Sequence, residues 1–130
     1  MRPLIGIVDD DVSFLRALER LVRAEGFAVT TFGSGEELLA SDRLEQIACL
    51  VLDIHLGGLS GFEIHETLAA TGHVIPTIFI TGHDDARTWE RALGSGAVAC
   101  LRKPFEDHAL LAVIHSATSR AGRTMRPDSA

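Results

Sequence analysis

The chain of 130 residues carries 12 basic and 18 acidic side chains, a formal net charge of −6 and an apolar fraction of 46%. A chain of this length buries roughly two-thirds of its unfolded surface, which predicts one compact domain that needs no metal or disulfide to fold. The acidic balance argues against direct nucleic-acid binding. The apolar runs are far shorter than the ~20 residues of a membrane span, and a cytoplasmic location is predicted.

Five short apolar runs divide the chain, and each is followed by a stretch with helical periodicity. The runs are as long as strands and apolar on both faces, which is typical of a parallel sheet covered by helices on both sides. No hairpin turn separates consecutive runs, so the sequence predicts a doubly wound α/β domain of five βα units. The predicted strands cover residues 4–8, 27–32, 48–52, 77–80 and 97–101.

Capping and stop signals predict where the first three helices begin or end. Gly26 is a natural stop just past the first helix. Ser34 with Glu37, and Ser60 with Glu63, form capping-box patterns that predict the starts of the second and third helices.

The last two helices are predicted from similar signals. The fourth is expected to begin near Asp84 and Asp85 and to close at Gly94, and Pro104 introduces the fifth. Residues 120–130 look like a flexible, solvated tail, which leaves residues 1–119 as the folded domain.

Polar side chains follow four of the predicted strands. In a doubly wound sheet the carboxyl ends of the strands meet at one crevice, so these side chains are expected to lie together. Crowded carboxylates repel each other, and Mg²⁺, which takes oxygen ligands and pairs with phosphate, is the expected counter-ion. The residues are Asp9, Asp10 and Asp11 after the first strand, Asp53 after the third, Thr81 after the fourth and Lys103 after the fifth.

These residue types suit phosphoryl transfer to a carboxylate. Asp53 stands alone at a strand end and is the predicted nucleophile, whereas the adjacent Asp9 and Asp10 resemble a pair of metal ligands. The hydroxyl of Thr81 and the ammonium of Lys103 can neutralise phosphoryl oxygens. Lys103 is the only lysine among the 12 basic residues.

Five short motifs in this order and spacing resemble those of the receiver domain of two-component response regulators. Residues 80–83 and 96–98 are most similar to the receivers of nitrogen-fixation and nodulation regulators. The resemblance covers residues 4 to about 119 and implies a flavodoxin-like fold with the strand order 2-1-3-4-5. The motifs are Val-Asp-Asp-Asp at 8–11, Leu-Val-Leu-Asp at 50–53, Gly-Phe-Glu at 61–63, Ile-Thr-Gly-His at 80–83 and Lys-Pro-Phe at 103–105.

The resemblance implies a specific set of partners and ligands. Asp53 would accept a phosphoryl group from a histidine kinase or phosphotransfer protein. Asp9, Asp10, Asp53 and the backbone carbonyl of His55 would hold Mg²⁺. Asp11 lies one position past the metal pair and is interpreted as an N-terminal residue of the first helix.

The resemblance also implies which residues bind the phosphoryl group and which face of the molecule contacts a partner. Thr81 and Lys103 would bind the phosphoryl oxygens, and the peptide bond before Pro104 would be cis. Phosphorylation would then alter the face formed by the fourth helix, fifth strand and fifth helix. That face would contact a downstream effector or output domain, or a second copy in a homodimer, without direct contact to nucleic acid or membrane.

Some positions are expected to modulate this chemistry, and two depart from the family pattern. Gly82 belongs to the modulators, and His55 and His83 are predicted to influence how fast the phosphoaspartate hydrolyses. Gly57 stands where receivers commonly have proline, which predicts a more flexible loop. Cys100 stands where the family usually has an aromatic residue that moves inward with the threonine.

Two other functions compete with the signalling switch. A small Mg²⁺-dependent phosphatase or phosphotransferase with an aspartyl nucleophile would normally carry a second aspartate at the position of His55, and a cap segment. A nucleotide-binding or flavin-binding protein of the same fold would normally carry a phosphate-binding glycine loop, and the glycines at 57–61 do not have that spacing. After the fifth helix too few residues follow for a DNA-binding module, so the chain is interpreted as a stand-alone receiver or a piece of a longer regulator.

The two cysteines are predicted to be buried and reduced. Cys49 and Cys100 have no CxxC spacing and no accompanying histidine pattern. With the family strand order they would lie ~10 Å apart, which is too far for a disulfide. A redox role for Cys100 is the alternative interpretation.

Overall fold

The computed structural model describes residues 2–82 and 86–123, and within them it has five strands alternating with five α-helices. A short 3₁₀ turn, Leu44–Gln46, precedes the third strand. The predicted order of five βα units is thereby confirmed. The strands are β1 Leu4–Val8, β2 Ala28–Phe32, β3 Ile47–Asp53, β4 Thr77–Thr81 and β5 Ala99–Arg102. The helices are α1 Val12–Ala24, α2 Gly35–Leu39, α3 Gly61–Ala70, α4 Ala86–Gly94 and α5 Asp107–Arg123.

All neighbouring strands are parallel, and their order in the sheet is β2-β1-β3-β4-β5. This is the predicted flavodoxin-like order. Strand β3 is central, with β1 on one side and β4 on the other. The carboxyl ends of β1, β3, β4 and β5 therefore line one edge of the sheet.

Two apolar layers cover the two faces of the sheet. One layer contains side chains of α2, α3 and α4, such as Leu38, Ile64 and Ala92, and the other contains side chains of α1 and α5, such as Val22 and Ile114. Every residue of β1 and β4 is buried, which explains why these strands are apolar without alternation. No helix within the described ranges is long and apolar enough to span a membrane.

The capping signals place the early helices as expected. Ser34 Oγ accepts a hydrogen bond from the Glu37 N–H at 3.1 Å. Ser60 and Glu63 form a complete, reciprocal capping box at the start of α3. Gly26, with φ of 104°, directly follows the last turn of α1 and occupies the left-handed region that glycine tolerates.

Several predicted boundaries in the second half are wrong. Helix α4 ends at Gly94, as predicted, but β5 begins at Ala99 instead of residue 97, after a loop in which Gly96 has a positive φ. Helix α5 begins at Asp107, three residues after Pro104, because Pro104 belongs to the loop that follows β5. The predicted N-terminus of the fourth helix, with Asp84 and Asp85, lies outside the described residues.

The last helix runs past residue 119. Helix α5 continues to Arg123, so its last four residues fall in the stretch assigned to the tail. Residues 124–130 lie outside the described part of the chain.

Candidate functional site

The polar residues that follow the strands meet at the carboxyl edge of the sheet. Asp9 directly follows β1, Asp53 is the last residue of β3, Thr81 is the last of β4, and Lys103 directly follows β5. The parallel register fixes their order across the sheet, with Asp53 next to Ile80 and Thr81 next to Arg102. Asp53 therefore has the carboxylates of the β1 loop on one side and Thr81 and Lys103 on the other.

Lys103 bridges two buried carboxylates. Its Nζ donates to Oδ2 of Asp9 and to Oδ2 of Asp53, and both distances are 3.2 Å. Asp9 is 2% exposed and Asp53 is 6% exposed, so both would be strongly destabilised without a positive partner. The single lysine of the chain thus compensates the buried negative charge of the site.

Backbone amides orient the other oxygen of each buried carboxylate. The N–H of Asp11 donates to Asp9 Oδ1 at 2.9 Å, and the N–H of His55 donates to Asp53 Oδ1 at 3.1 Å. In both cases the donor lies two residues beyond the acceptor, at the start of the loop that leaves the strand. The side chain of Asp11 is the N-cap of α1 and accepts from the Phe14 N–H, as expected for an N-terminal helix residue.

Asp10 is the exposed member of the acidic cluster and is held by a different loop. Its Oδ2 accepts a hydrogen bond from the Gly57 N–H at 3.1 Å, across 47 positions of the sequence. Proline has no N–H and could not make this contact. The prediction that glycine makes this loop more flexible left out a hydrogen bond that ties the loop to the site.

The electrostatics of the site follow from burial and from the charge pairs. Burial raises the pKa of Asp9, and the nearby Asp53 carboxylate raises it further, although the Asp11 N–H and Lys103 oppose this shift. Burial alone would lower the pKa of Lys103, but the two carboxylates outweigh it and raise that pKa above its ordinary value. Lys103 therefore carries its charge throughout the neutral range.

Three carboxylates in this site suit a hard divalent cation. Asp9, Asp10 and Asp53 each offer one oxygen, and these oxygens lie within 4.8 Å of one another. Mg²⁺ prefers oxygen ligands and keeps several water ligands, so it can be held by few protein groups. The donor set of the cluster thus fits Mg²⁺.

Close packing at Gly61 fixes the end of β3 against α3. A Cβ at this position would lie 2.6 Å from the backbone oxygen of Asp53 and 2.8 Å from the Cα of Ile54. The Gly61 N–H also donates to the Ile54 carbonyl at 2.8 Å. The N-terminus of α3 can approach Asp53 this closely only because the residue has no side chain.

Phe14, on the first turn of α1, is a neighbour of the site that the sequence analysis did not include among the site residues. The Nζ of Lys103 lies 4.3 Å from the centre of the Phe14 ring, and Phe105 packs edge-on against that ring. An ammonium over an aromatic face is attracted by the ring quadrupole. An aromatic residue three positions after the aspartate motif was the available signal for this contact.

Residues 5–115 match the model of the response regulator receiver domain. The chain belongs to that family. Receivers act in two-component signalling, and the predicted resemblance is thereby confirmed.

The nitrogen-fixation and nodulation type is also confirmed for this receiver domain. Nodulation protein W of Bradyrhizobium diazoefficiens is 44% identical over 119 residues, which cover 92% of this chain and 52% of that protein. The transcriptional regulatory protein FixJ of the same species is 35% identical over 117 residues, which cover 90% of this chain and 57% of that protein. The crystal structure of FixJ-N is 32% identical with a TM-score of 0.82, and the match covers 92% of this chain and 95% of that one. The receiver domain spans about half the length of these curated relatives.

The remaining predicted residues of the receiver lie around the same edge. Thr81 is buried, and its carbonyl accepts from the Lys103 N–H at 2.8 Å. A Cβ at Gly82 would lie 3.9 Å from Cδ of Lys103. The Lys103–Pro104 peptide bond is cis. His83 lies outside the described residues.

The cysteines of the receiver lie on opposite faces of the sheet. Cys49 packs in the layer of α1 and α5, and Cys100 packs in the layer of α2, α3 and α4. Both are buried and free, as predicted. Cys100 pairs in register with Phe79, which lies two residues before Thr81. A small thiol therefore lies beside β4 at the position where the family usually has an aromatic residue.

Helix α4 contacts its neighbours through two arginine–aromatic pairs. The guanidinium of Arg102 lies 5.1 Å from the centre of the Trp89 ring, and that of Arg91 lies 4.2 Å from the centre of the Phe62 ring. Leu93 is 58% exposed on the same helix. Helix α4 thus has arginine–aromatic pairs toward both α3 and β5, and an exposed apolar side chain at Leu93.

His65, on α3, is half-buried against the sheet. Its ring packs edge-on against Phe79 at 5.4 Å between ring centres. Burial lowers the pKa of this imidazole, and the nearby Glu66 opposes the shift.

Proposed function

We propose that this receiver is a phosphorylation-dependent switch in which Asp53 accepts a phosphoryl group from a histidine kinase or a phosphotransfer protein. The observation that carries the proposal is the bridge from Lys103 to Asp9 and Asp53, at 3.2 Å to each carboxylate. An ammonium held between two buried carboxylates can follow a new negative charge that forms on one of them. Asp53 is the acceptor in this proposal because it ends the central strand and has polar groups on both sides.

The transfer begins with attack of an Asp53 carboxylate oxygen on phosphorus, as the bond to the donor nitrogen breaks. Mg²⁺ held by Asp9, Asp10, Asp53 and the His55 carbonyl would neutralise charge on the phosphoryl oxygens. Lys103 exchanges its contact with the Asp53 carboxylate for a phosphoryl oxygen, and keeps its contact with Asp9.

Thr81 carries the signal to the surface in this proposal. Its hydroxyl binds a phosphoryl oxygen, and the end of β4 adjusts to that contact. Since Cys100 replaces the expected aromatic, the response passes to the α4-β5-α5 face through α4, where Trp89 stacks with Arg102. The exposed Leu93 makes this face suitable for an effector protein, an output domain or a second copy of the chain.

The other modulators act on the lifetime of the phosphorylated state. In this proposal Gly82, His55 and His83 influence how fast water hydrolyses the acyl phosphate. Residues 1–119 would act as the receiver unit, in the cytoplasm, without direct contact to nucleic acid. Family membership favours this signalling role over the alternative of a phosphatase or phosphotransferase that acts on a metabolite.

The test is incubation of the purified chain with a small phosphodonor, with and without Mg²⁺. Phosphate-affinity electrophoresis and intact mass should show one phosphoryl group per chain, stable in acid and lost in base, only when Mg²⁺ is present. The control D53N should stay unmodified. Continuous turnover of a metabolite phosphate with no stable phosphoprotein would instead support the enzyme alternative.

A further inference from the structure

The exposed Asp10 carboxylate is held differently from its two buried neighbours. Asp9 and Asp53 are each fixed by a backbone N–H two residues further along the chain, and by Lys103. The donor that the structure gives Asp10 is the N–H of Gly57, which belongs to the loop between β3 and α3. The orientation of Asp10 thus depends on the position of another loop.

The geometry of this contact ties the two loops at the edge of the sheet to each other. Gly57 N–H donates to Asp10 Oδ2 at 3.1 Å, and the receiving group is a carboxylate, so the bond is charge-assisted. An exposed aspartate without such a bond loses conformational entropy when it binds a cation. With the bond in place, Oδ2 is engaged and the carboxylate is already oriented before a cation arrives.

We propose that the Gly57 N–H is a positioning group for the metal site, which orients Asp10 toward Mg²⁺ and couples the β3–α3 loop to metal binding. The inference rests on the proposed function, since it assigns Asp10 to the cation. It goes beyond that function because it gives a specific role to a backbone N–H in the loop. Gly57 is a positioning residue here and makes no contact with substrate.

The chain offers a matched pair of variants at this position. In G57A the N–H remains, and the added Cβ would lie 3.6 Å from Asp10 Oδ2, an ordinary contact. The backbone of Gly57 is outside the left-handed region, so alanine can adopt it. In G57P the donor is removed while the residue remains small and apolar.

The first measurement is amide hydrogen exchange by NMR on the full chain without Mg²⁺. The Gly57 amide should exchange about tenfold faster in D10A than in the wild type, because the acceptor is gone. D10N keeps an oxygen acceptor and should fall between the two. Equal exchange rates in the wild type and D10A would overturn the proposal.

The second measurement is Mg²⁺ affinity by calorimetry, with urea unfolding as the check that each variant is folded. G57P should bind Mg²⁺ about three- to tenfold more weakly than G57A, and G57A should match the wild type. Affinities of G57P and G57A within about twofold of each other would overturn the inference alone. Lack of saturable Mg²⁺ binding by the wild type would overturn both the inference and the proposed function.

Discussion

The ammonium of Lys103 lies 3.2 Å from a carboxylate oxygen of Asp53, although 50 positions separate the two residues in the sequence. The same nitrogen lies 3.2 Å from Asp9. This one side chain joins the ends of β1, β3 and β5. It therefore contributes both to the stability of the fold and to the chemistry proposed for Asp53.

Loss of the Lys103 charge should destabilise the domain. In K103M the Asp9 and Asp53 carboxylates lose their shared donor, and the free energy of unfolding in urea at pH 7 should fall by about 1–3 kcal/mol. The pKa of Asp9 is already raised by burial, so protonation at acid pH relieves the repulsion and the deficit of K103M should shrink there. K103R keeps the charge and should lose less. A K103M domain as stable as the wild type at pH 7 would contradict this account.

The close approach at Gly61 should make even a methyl group costly. In G61A the new Cβ would meet the Asp53 carbonyl and Ile54 backbone at less than 3 Å, and backbone atoms cannot move aside as a side chain can. The free energy of unfolding should fall by about 1–3 kcal/mol. G82A is the matched control, since its nearest atom is Cδ of Lys103 at 3.9 Å. Equal stability of the two variants would show that α3 does not pack this closely on β3.

The fold could be predicted from the sequence because the signals that determine it are local. Apolar runs without alternation mark strands that are buried on both faces, and the serine and glutamate pair at 60 and 63 forms the capping box at the start of α3. The site at the strand ends could be predicted for the same reason, because the apolar run of β3 stops at Asp53. Predicted boundaries were wrong where a loop intervened, as at Pro104, because four loop residues, 103–106, separate β5 from α5.

Contacts of the site that depend on backbone groups or on distant elements could not be predicted from the sequence. The bond from Gly57 to Asp10 uses an N–H that every residue except proline has, so composition gives no sign of it. The approach of Lys103 to the Phe14 ring requires the positions of β5 and α1 relative to each other. Likewise, His65 looks like a surface residue until the packing of α3 places it on Phe79.

His65 should make stability depend on pH below neutrality. Its pKa in the folded state is lower than the ordinary value of 6.5, so the folded protein binds fewer protons than the unfolded chain. The free energy of unfolding should therefore fall as pH drops below about 6.5 toward the folded-state pKa. H65F keeps the ring and cannot titrate, so it should show a smaller decrease between pH 7 and pH 5 in urea titrations. Identical pH profiles would show that the imidazole is not desolvated.

Neither cysteine should react quickly with thiol reagents in the folded protein. Burial raises the pKa of Cys49 to about 12, and burial also raises the pKa of Cys100. Labelling with an aromatic disulfide reagent should be slow in buffer and should reach both thiols in denaturant. Fast labelling of one thiol in C49A, which retains Cys100, would revive the redox interpretation for that residue.

Asp53 is the residue proposed to carry the phosphoryl group. The most direct measurement is reduction of the phosphorylated chain with borohydride, which converts an aspartyl phosphate to homoserine, followed by peptide mass spectrometry. Homoserine is expected at position 53, with aspartate retained at positions 9 and 10. Homoserine at position 9 or 10, or a phosphorylated chain with none at 53, would contradict the proposal.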